Sequence, residues 1–402
     1  MHFGLYSVAA RHEWVRYREK LDADTYQRYF DHFTADAFDA RAWARTAKST
    51  GMKYVVFTTK HHEGFSLWDT KQTDFSAPHS PANRDLVAEM VAACRAEGLR
   101  VGLYYSLIDW HHPDFPLDAL HPDWDRAGGA ESPIADGAAY VSYLHAQVAE
   151  LLDLFDPDIL WFDFSYGDDV AVRGKSAEFW RSTELRELVR ARSPHVLIND
   201  RLGLPDADFL TPEEVQPDAA SMATTPVWEA CRTLNGSWGY APDFQNWLDA
   251  RQVVRTLIDS VSKGGNLLLN VGPDGRGGLE PRARDLLEEV GEWTRLHGAS
   301  IYGAGASSIV APPGCRITQN GTRVFVHVLD WPTGHLVLSE LPGRLRFASF
   351  LHDNREVEFV VESAHQSVPH EQHAGPAGST VLRLPLRQPE VAVPVIELDL
   401  EW

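Results

Sequence analysis

The sequence predicts an α/β fold: a (β/α)8-like, TIM-type barrel over residues 1–303, followed by a C-terminal antiparallel β-sandwich over residues 304–402. Three observations predict it. Apolar, strand-like runs alternate with helix-like stretches over some 300 residues, which favours a barrel over an open doubly wound sheet. The rhythm then changes to short alternating strands separated by turns rich in Pro, Gly, Asn and Asp, the pattern of a sandwich. Finally, the apolar runs of the first part keep ending in polar or aromatic residues. In a parallel barrel the C-terminal strand ends point into the mouth where chemistry is done.

The elements follow in order. The chain opens on Met1-His-Phe-Gly4, close to a strand end, so the first strand is expected to be truncated. Tyr54-Val-Val-Phe-Thr58 is a strand running into Lys60-His-His-Glu-Gly-Phe65. Arg84 to Glu97 carries Leu86, Val87, Met90, Val91 and Cys94 on one helical face, and Gly98 ends it. Arg100-Val-Gly-Leu-Tyr-Tyr-Ser106 is the next strand, leading to Asp109-Trp110. Tyr140 to Phe155 is a long amphipathic helix stopped by Asp156-Pro-Asp158. The strand Ile159-Leu-Trp-Phe-Asp-Phe164 is apolar enough to be buried yet carries a carboxylate, Asp163. Burying a carboxylate without a purpose is costly, which makes this the most informative position in the chain. Leu185 to Arg192 is a helix, Val196 to Asn199 a strand, Val253 to Val261 a helix, Asn266 to Val271 a strand and Arg282 to His297 a closing helix. In the second part, strands are expected at 323–328, 334–341, 345–351, 356–361, 379–386 and 395–400, with a biased loop at 365–378.

Composition narrows the function. With 57 acidic and 37 basic residues the formal net charge is −20, which argues against nucleic acid, because binding phosphates needs a basic surface. A neutral partner fits better. No GxGxxG or P-loop pattern follows an early strand, so a nucleotide site is disfavoured. The three cysteines, Cys94, Cys231 and Cys315, have neither metal nor disulfide spacing. There is no long apolar run and no signal-peptide pattern, so no membrane partner and a cytoplasmic location are expected. Nothing in the sequence specifies an oligomeric state. Most of the 13 Trp are expected to fill the core.

Two carboxylates on different strand ends are the minimum equipment for cutting a glycosidic bond. Asp163 is one candidate. Glu213 and Glu214 of Thr211-Pro-Glu-Glu214, and Glu229 beside Trp228, compete to be the second. His61-His62 suggests a metal, but no third ligand sits at a metal-binding spacing. An imidazole both donates and accepts, so these two fit sugar hydroxyls better. Arg201 fits a salt bridge or a ligand donor equally well.

Several runs together resemble a known family. Phe3-Gly-Leu-Tyr-Ser7, Glu13-Trp14, Lys60-His-His-Glu-Gly-Phe65, Gly102-Leu-Tyr-Tyr-Ser106, Leu160-Trp-Phe-Asp163, Asn199-Asp-Arg201, Ser237-Trp-Gly-Tyr240 and Ser262-Lys-Gly-Gly-Asn-Leu-Leu-Leu-Asn-Val-Gly-Pro273 resemble the α-L-fucosidases of glycoside hydrolase family 29. The resemblance covers the first 303 residues. It implies a retaining exo-glycosidase that removes fucosyl groups from glycans and needs no cofactor or metal. It places the nucleophile at Asp163 and the acid/base at Glu213, with Glu229 as runner-up. It carries sugar binding onto His2, Glu13, His61, His62, Tyr104, Trp161 and Arg201, with Trp161 and Phe65 facing the sugar ring and its methyl group. Glu63 stands where the family more commonly has Asp, and Phe3 where Trp is usual. Fold does not guarantee activity. A non-catalytic or impaired fucose-binding protein on this fold, or a retaining glycosidase for another sugar such as galactose, are the competing expectations. The presence of both carboxylates argues against the first and an aromatic-rich pocket against the second.

Overall fold

Alternating β-branched, aromatic and aliphatic residues build the strands that carry the site. A computed structural model of the chain describes residues 1–129, 136–166, 174–217, 227–339, 341–362 and 375–401. The first sheet is parallel, with strands β1 (Tyr54–Lys60), β2 (Arg100–Ser106), β3 (Ile159–Asp163) and β4 (Leu197–Ile198) side by side in chain order. The helices Leu86–Ala96, Gly137–Phe155 and Ser182–Arg192 connect them. Each of the first two starts at an aspartate, Asp85 or Asp136, whose side chain accepts from first-turn backbone N–H groups. Gly102 in β2 has a packing reason, since a Cβ there would lie 2.8 Å from Val56 Cγ2 on β1.

The register is what matters for function. Thr58 pairs with Tyr104, Tyr104 with Trp161, and Ser106 with Asp163. Side chains two apart on a strand share a face. Tyr104, Trp161 and Asp163 therefore point to one side, and Tyr105 and Phe162 to the other. A bulge between Thr58 and Lys60 shifts β1 by one residue and pairs Lys60 with Tyr105. β4 is shorter than the expected 196–199 for a visible reason. The Asn199 side chain takes over the ladder, its Oδ1 accepting from Phe162 N at 2.8 Å and its Nδ2 donating to Phe162 O at 2.9 Å.

A second sheet pairs β5 (Glu229–Thr233) with β6 (Asn266–Asn270). Among the described residues, β1 to β6 do not form one continuous ladder. Met1 and His2 do make strand-like backbone bonds: Met1 O accepts from Thr58 N at 3.3 Å and His2 N donates to Val271 O at 3.1 Å. Helices over Ala23–Asp31 and Ala40–Thr50 were not legible in the sequence. The second has an inward face of Ala40, Trp43, Ala44 and Ala47, too alanine-rich to stand out as amphipathic.

The chain divides into two compact units. One comprises Met1–Thr211, Cys231–Trp247 and Leu269–Asp285; the other comprises Pro212–Ala230, Leu248–Leu268 and Leu286–Trp402. The second unit contains two antiparallel sheets. One orders β11 (Arg344–Phe350), β14 (Val395–Glu401), β9 (Arg323–Val328), β8 (Cys315–Asn320) and β7 (Gly305–Ala306); the other orders β10 (His335–Leu338), β13 (Thr380–Arg383) and β12 (Phe359–Val361). One apolar cluster draws Ile317, Val326, Leu338, Phe350, Leu382 and Leu398 from both sheets. β8 was missed in the sequence because only Cys315 and Ile317 mark its inward face. The biased loop at 365–378 lies largely outside the described residues.

Candidate active site

Asp163 ends β3 and presents its carboxylate beside β2 and the turn after β4. Three donors converge on it. Tyr104 Oη donates to Oδ2 at 2.8 Å, Arg201 Nη1 donates to Oδ1 at 3.1 Å, and the backbone N–H of Phe164 donates to Oδ1 at 3.0 Å. These are the partners that a carboxylate anion needs. Phe164 has φ +76°, a left-handed conformation that a bulky residue adopts at a cost of about 1–2 kcal/mol. Strain of this kind concentrates at functional positions, where surrounding structure holds it.

Arg201 is fixed on every side. Its Nε donates to Thr211 Oγ1 at 3.0 Å, its Nη2 donates to Thr211 O at 3.1 Å, and its guanidinium lies 4.6 Å from the centre of the Trp161 ring. Thr211 in turn donates to Asp200 Oδ1 at 2.6 Å. The sequence alone left Arg201 between two roles, and here it is an ion-pair partner of Asp163.

The aromatic wall follows from the register. Tyr104 stacks on Trp161 at 5.6 Å and on His61 at 5.1 Å. His2 joins them, with ring centres 5.2 Å from His61, 5.4 Å from Tyr104 and 5.2 Å from Trp238. His61 Nδ1 accepts from the backbone N–H of His62 at 2.9 Å, so the ring proton is on Nε2. Nε2 is 3.2 Å from Tyr104 Oη, which has already committed its own proton to Asp163. The donors therefore run in one direction, from His61 to Tyr104 to Asp163.

His62 is fully buried, its ring stacked 3.8 Å from that of Trp110 and tilted against that of Trp14 at 4.7 Å. Neither of its ring nitrogens has a hydrogen-bond partner among the described residues. Burial holds both His61 and His62 well below the ordinary imidazole pKa, so both are neutral. Two neutral nitrogens without partners need an incoming polar group.

Glu13 is buried, and its Oε2 accepts from Gly239 N at 2.8 Å, which ties it to the segment carrying Trp238. Glu63 is also buried. It accepts from Leu5 N and Tyr26 Oη, and burial pushes its pKa up to about 7. Phe65 does not join this wall. It is buried and packs edge-on against Phe30, Phe33 and Phe75, because Gly64 at φ +87° turns the chain inward. Among the described residues no ring contact links Phe65 to Tyr104, Trp161 or His61; its ring partners are Phe30, Phe33 and Phe75. Glu213 is exposed in the 212–217 stretch, and Glu229 is buried at the start of β5. Both belong to the second compact unit.

The structure adds Trp238, Thr211 and Asn270, which were not singled out in the sequence. All three lie in or next to conspicuous runs, but their contacts to His2 and Arg201 span more of the chain than sequence periodicity reports. Among the described residues no group of three or more His, Cys, Asp or Glu is arranged to hold a metal ion.

Residues 1–299 match the family model described as alpha-L-fucosidase. The chain belongs to the alpha-L-fucosidase family. It is 31% identical over 389 residues to an alpha-L-fucosidase of Dictyostelium discoideum, covering 85% of this chain and 78% of that protein. It is 30% identical to a human plasma alpha-L-fucosidase, covering 84% and 75%. Among solved structures, an alpha-L-fucosidase isoenzyme from Paenibacillus thiaminolyticus superposes with a TM-score of 0.89 at 41% identity, covering all of this chain and 95% of that one. A covalent intermediate of a family 29 enzyme from Bacteroides thetaiotaomicron, trapped with 2-fluoro-fucosyl fluoride, superposes with a TM-score of 0.84 at 25% identity, covering all of this chain and 93% of that one. The family is one of glycoside hydrolases, with an α/β catalytic domain and a C-terminal β domain.

Proposed function

We propose that the protein is a retaining exo-α-L-fucosidase acting on terminal fucosyl groups of glycans, with Asp163 as its nucleophile. The observation that carries this is the Asp163 carboxylate at a strand end, gripped by Tyr104 and Arg201 next to neutral histidines and aromatic faces. Asp163 attacks the anomeric carbon and forms a fucosyl-enzyme ester while the leaving oxygen is protonated. Glu213 supplies that proton, then takes one from the water that frees the sugar; Glu229 is the alternative. His2, Glu13, His61, His62 and Arg201 meet the hydroxyls and ring oxygen, and Trp161 faces the ring. The family relationship and the strand-end carboxylate also support a (β/α)8-like barrel over residues 1–303 and a β-sandwich over 304–402.

The test is hydrolysis of 4-nitrophenyl α-L-fucoside beside the β-D-galactoside, wild type against Asp163→Gly. Fucoside turnover that vanishes in the variant is expected. Unchanged turnover in the variant would remove Asp163 from the mechanism, and preference for the galactoside would overturn the sugar. Azide added to Glu213→Ala and to Glu229→Ala assigns the acid/base. A small anion rescues breakdown of the intermediate only where the general base has been removed.

A further inference from the structure

Asn270 closes β6 at the end of Gly265-Asn-Leu-Leu-Leu-Asn270, and its side chain is buried. Its Nδ2 donates to the Trp238 carbonyl at 2.7 Å, and its Oδ1 lies 2.8 Å from His2 Nδ1. These two contacts leave one solution. A backbone carbonyl only accepts, so the amide nitrogen must face Trp238 O. The amide oxygen then faces His2. Because that oxygen also only accepts, the proton of the imidazole must be on Nδ1. A neutral imidazole protonated at Nδ1 has a bare lone pair at Nε2. Burial depresses the His2 pKa to about 3, so the ring stays neutral over the working range. Its neighbour His61, 5.2 Å away, carries its proton on Nε2 and has the opposite polarity.

We propose that Asn270 is a positioning residue that locks His2 in the Nδ1–H tautomer, so that His2 Nε2 accepts a hydrogen bond from one sugar hydroxyl. The site thereby selects a group that can donate at this position and discriminates against an ether or a fluorine of similar size. A site built to hydrogen-bond a hydroxyl leaves its own buried polar atom unpaired when that hydroxyl is missing, which is a strong source of selectivity. The proposal rests on the reading that His2 faces the fucosyl group, and the test separates the two.

Enzyme labelled with 15N-histidine reports the tautomer directly, the His2 signals being those lost in His2→Gln. In wild type Nδ1 is expected to be protonated and Nε2 bare between pH 8 and pH 5, without any sugar present. A proton on Nε2, or a mixture of the two forms, would overturn the proposal, and this measurement needs no change at Asn270. Asn270→Leu removes the acceptor and should release the ring into both tautomers. Asn270→Asp should draw in a second proton and convert His2 to an imidazolium, whose Nε2 donates. Kinetics then test the sugar. With 4-nitrophenyl α-L-fucoside, Asn270→Leu should raise KM about tenfold with a smaller change in kcat, the loss of one hydrogen bond of roughly 1.4 kcal/mol. Among O-methyl fucosides, one should be poor for wild type and lose nothing further in the variant. If the tautomer is as stated but every analogue suffers equally in both enzymes, His2 does not read a sugar hydroxyl, and that half of the proposal fails.

Discussion

Lys60→Met should destabilise the protein by about 3 kcal/mol, and the reason lies directly behind the histidine pair. Lys60 ends β1 completely buried, with Nζ 3.3 Å from Asp109 Oδ2 and 4.4 Å from the centre of the Tyr105 ring. The rings of Tyr143 and Tyr140 lie 5.4 Å and 5.9 Å away. Burial acts to raise the Asp109 pKa, but the lysine charge and the backbone N–H of His111 outweigh it, and the carboxyl is held below its ordinary range. Asp109 Oδ1 accepts from His111 N at 2.9 Å and His112 N at 3.0 Å. Methionine fills nearly the same space but removes the charge, leaving the carboxylate stranded. Breaking a buried pair from one side costs about 3–5 kcal/mol. The two backbone donors that remain place the cost at the lower end. Lys60→Met/Asp109→Asn restores neutrality while an amide oxygen still accepts from His111 and His112, so the double variant should recover roughly 2 kcal/mol of the loss. Urea unfolding followed by tryptophan fluorescence measures all four corners of this cycle. If Lys60→Met falls within about 0.5 kcal/mol of wild type, or the two changes simply add, the pair is not what holds this corner together. Trp110 N donates to His62 O at 2.8 Å, so a slipped 109–112 turn should also raise KM.

Three further outcomes are expected. His297 and His327 are fully buried, and each has one ring nitrogen without a partner among the described residues; burial lowers their pKa values to about 4 and about 3. Their folded values lie below the unfolded value near 6.5, so their stabilising contribution is present above that pH and is lost as pH falls towards 3–4, roughly 2 kcal/mol each by pH 5. Glu63, pushed up to about 7, works in the opposite sense, so the comparison is with His327→Gln, whose loss of unfolding free energy between pH 7 and pH 5 should be smaller by roughly 2 kcal/mol. Gly64→Ala should lower stability by more than about 2 kcal/mol and weaken sugar binding, because φ is +87° and a Cβ would lie 2.2 Å from Asp109 Oδ1; an unchanged melting temperature would refute the clash. Arg201→Lys keeps the charge but loses the fork that spans Thr211 and Asp163, so kcat for the aryl fucoside should fall about a hundredfold; activity within a few-fold of wild type would show that charge alone suffices.

The part of the candidate site on strands, Tyr104, Trp161 and Asp163, was legible in the sequence because strands have a period of two. Ile159 to Asp163 is apolar up to its carboxylate, and the same count that buries Leu160 and Phe162 turns Trp161 and Asp163 to the opposite side. Helix caps were less visible: Asp39 opens a helix whose alanines hide its face. The packing of Phe65 against Phe30, Phe33 and Phe75 was not legible, because sequence does not report that Gly64 takes a left-handed turn. Local pattern thus determined the strand–helix alternation, the change of rhythm near residue 304 and the candidate nucleophile, since these depend on neighbours a few residues apart. Which nitrogen of His2 carries the proton, what Arg201 grips and why Lys60 tolerates burial were decided only by tertiary structure. Each depends on one hydrogen bond or ion pair between residues far apart in the chain, such as His2 and Asn270, 268 positions apart. Such a contact exists only once the strands are in register.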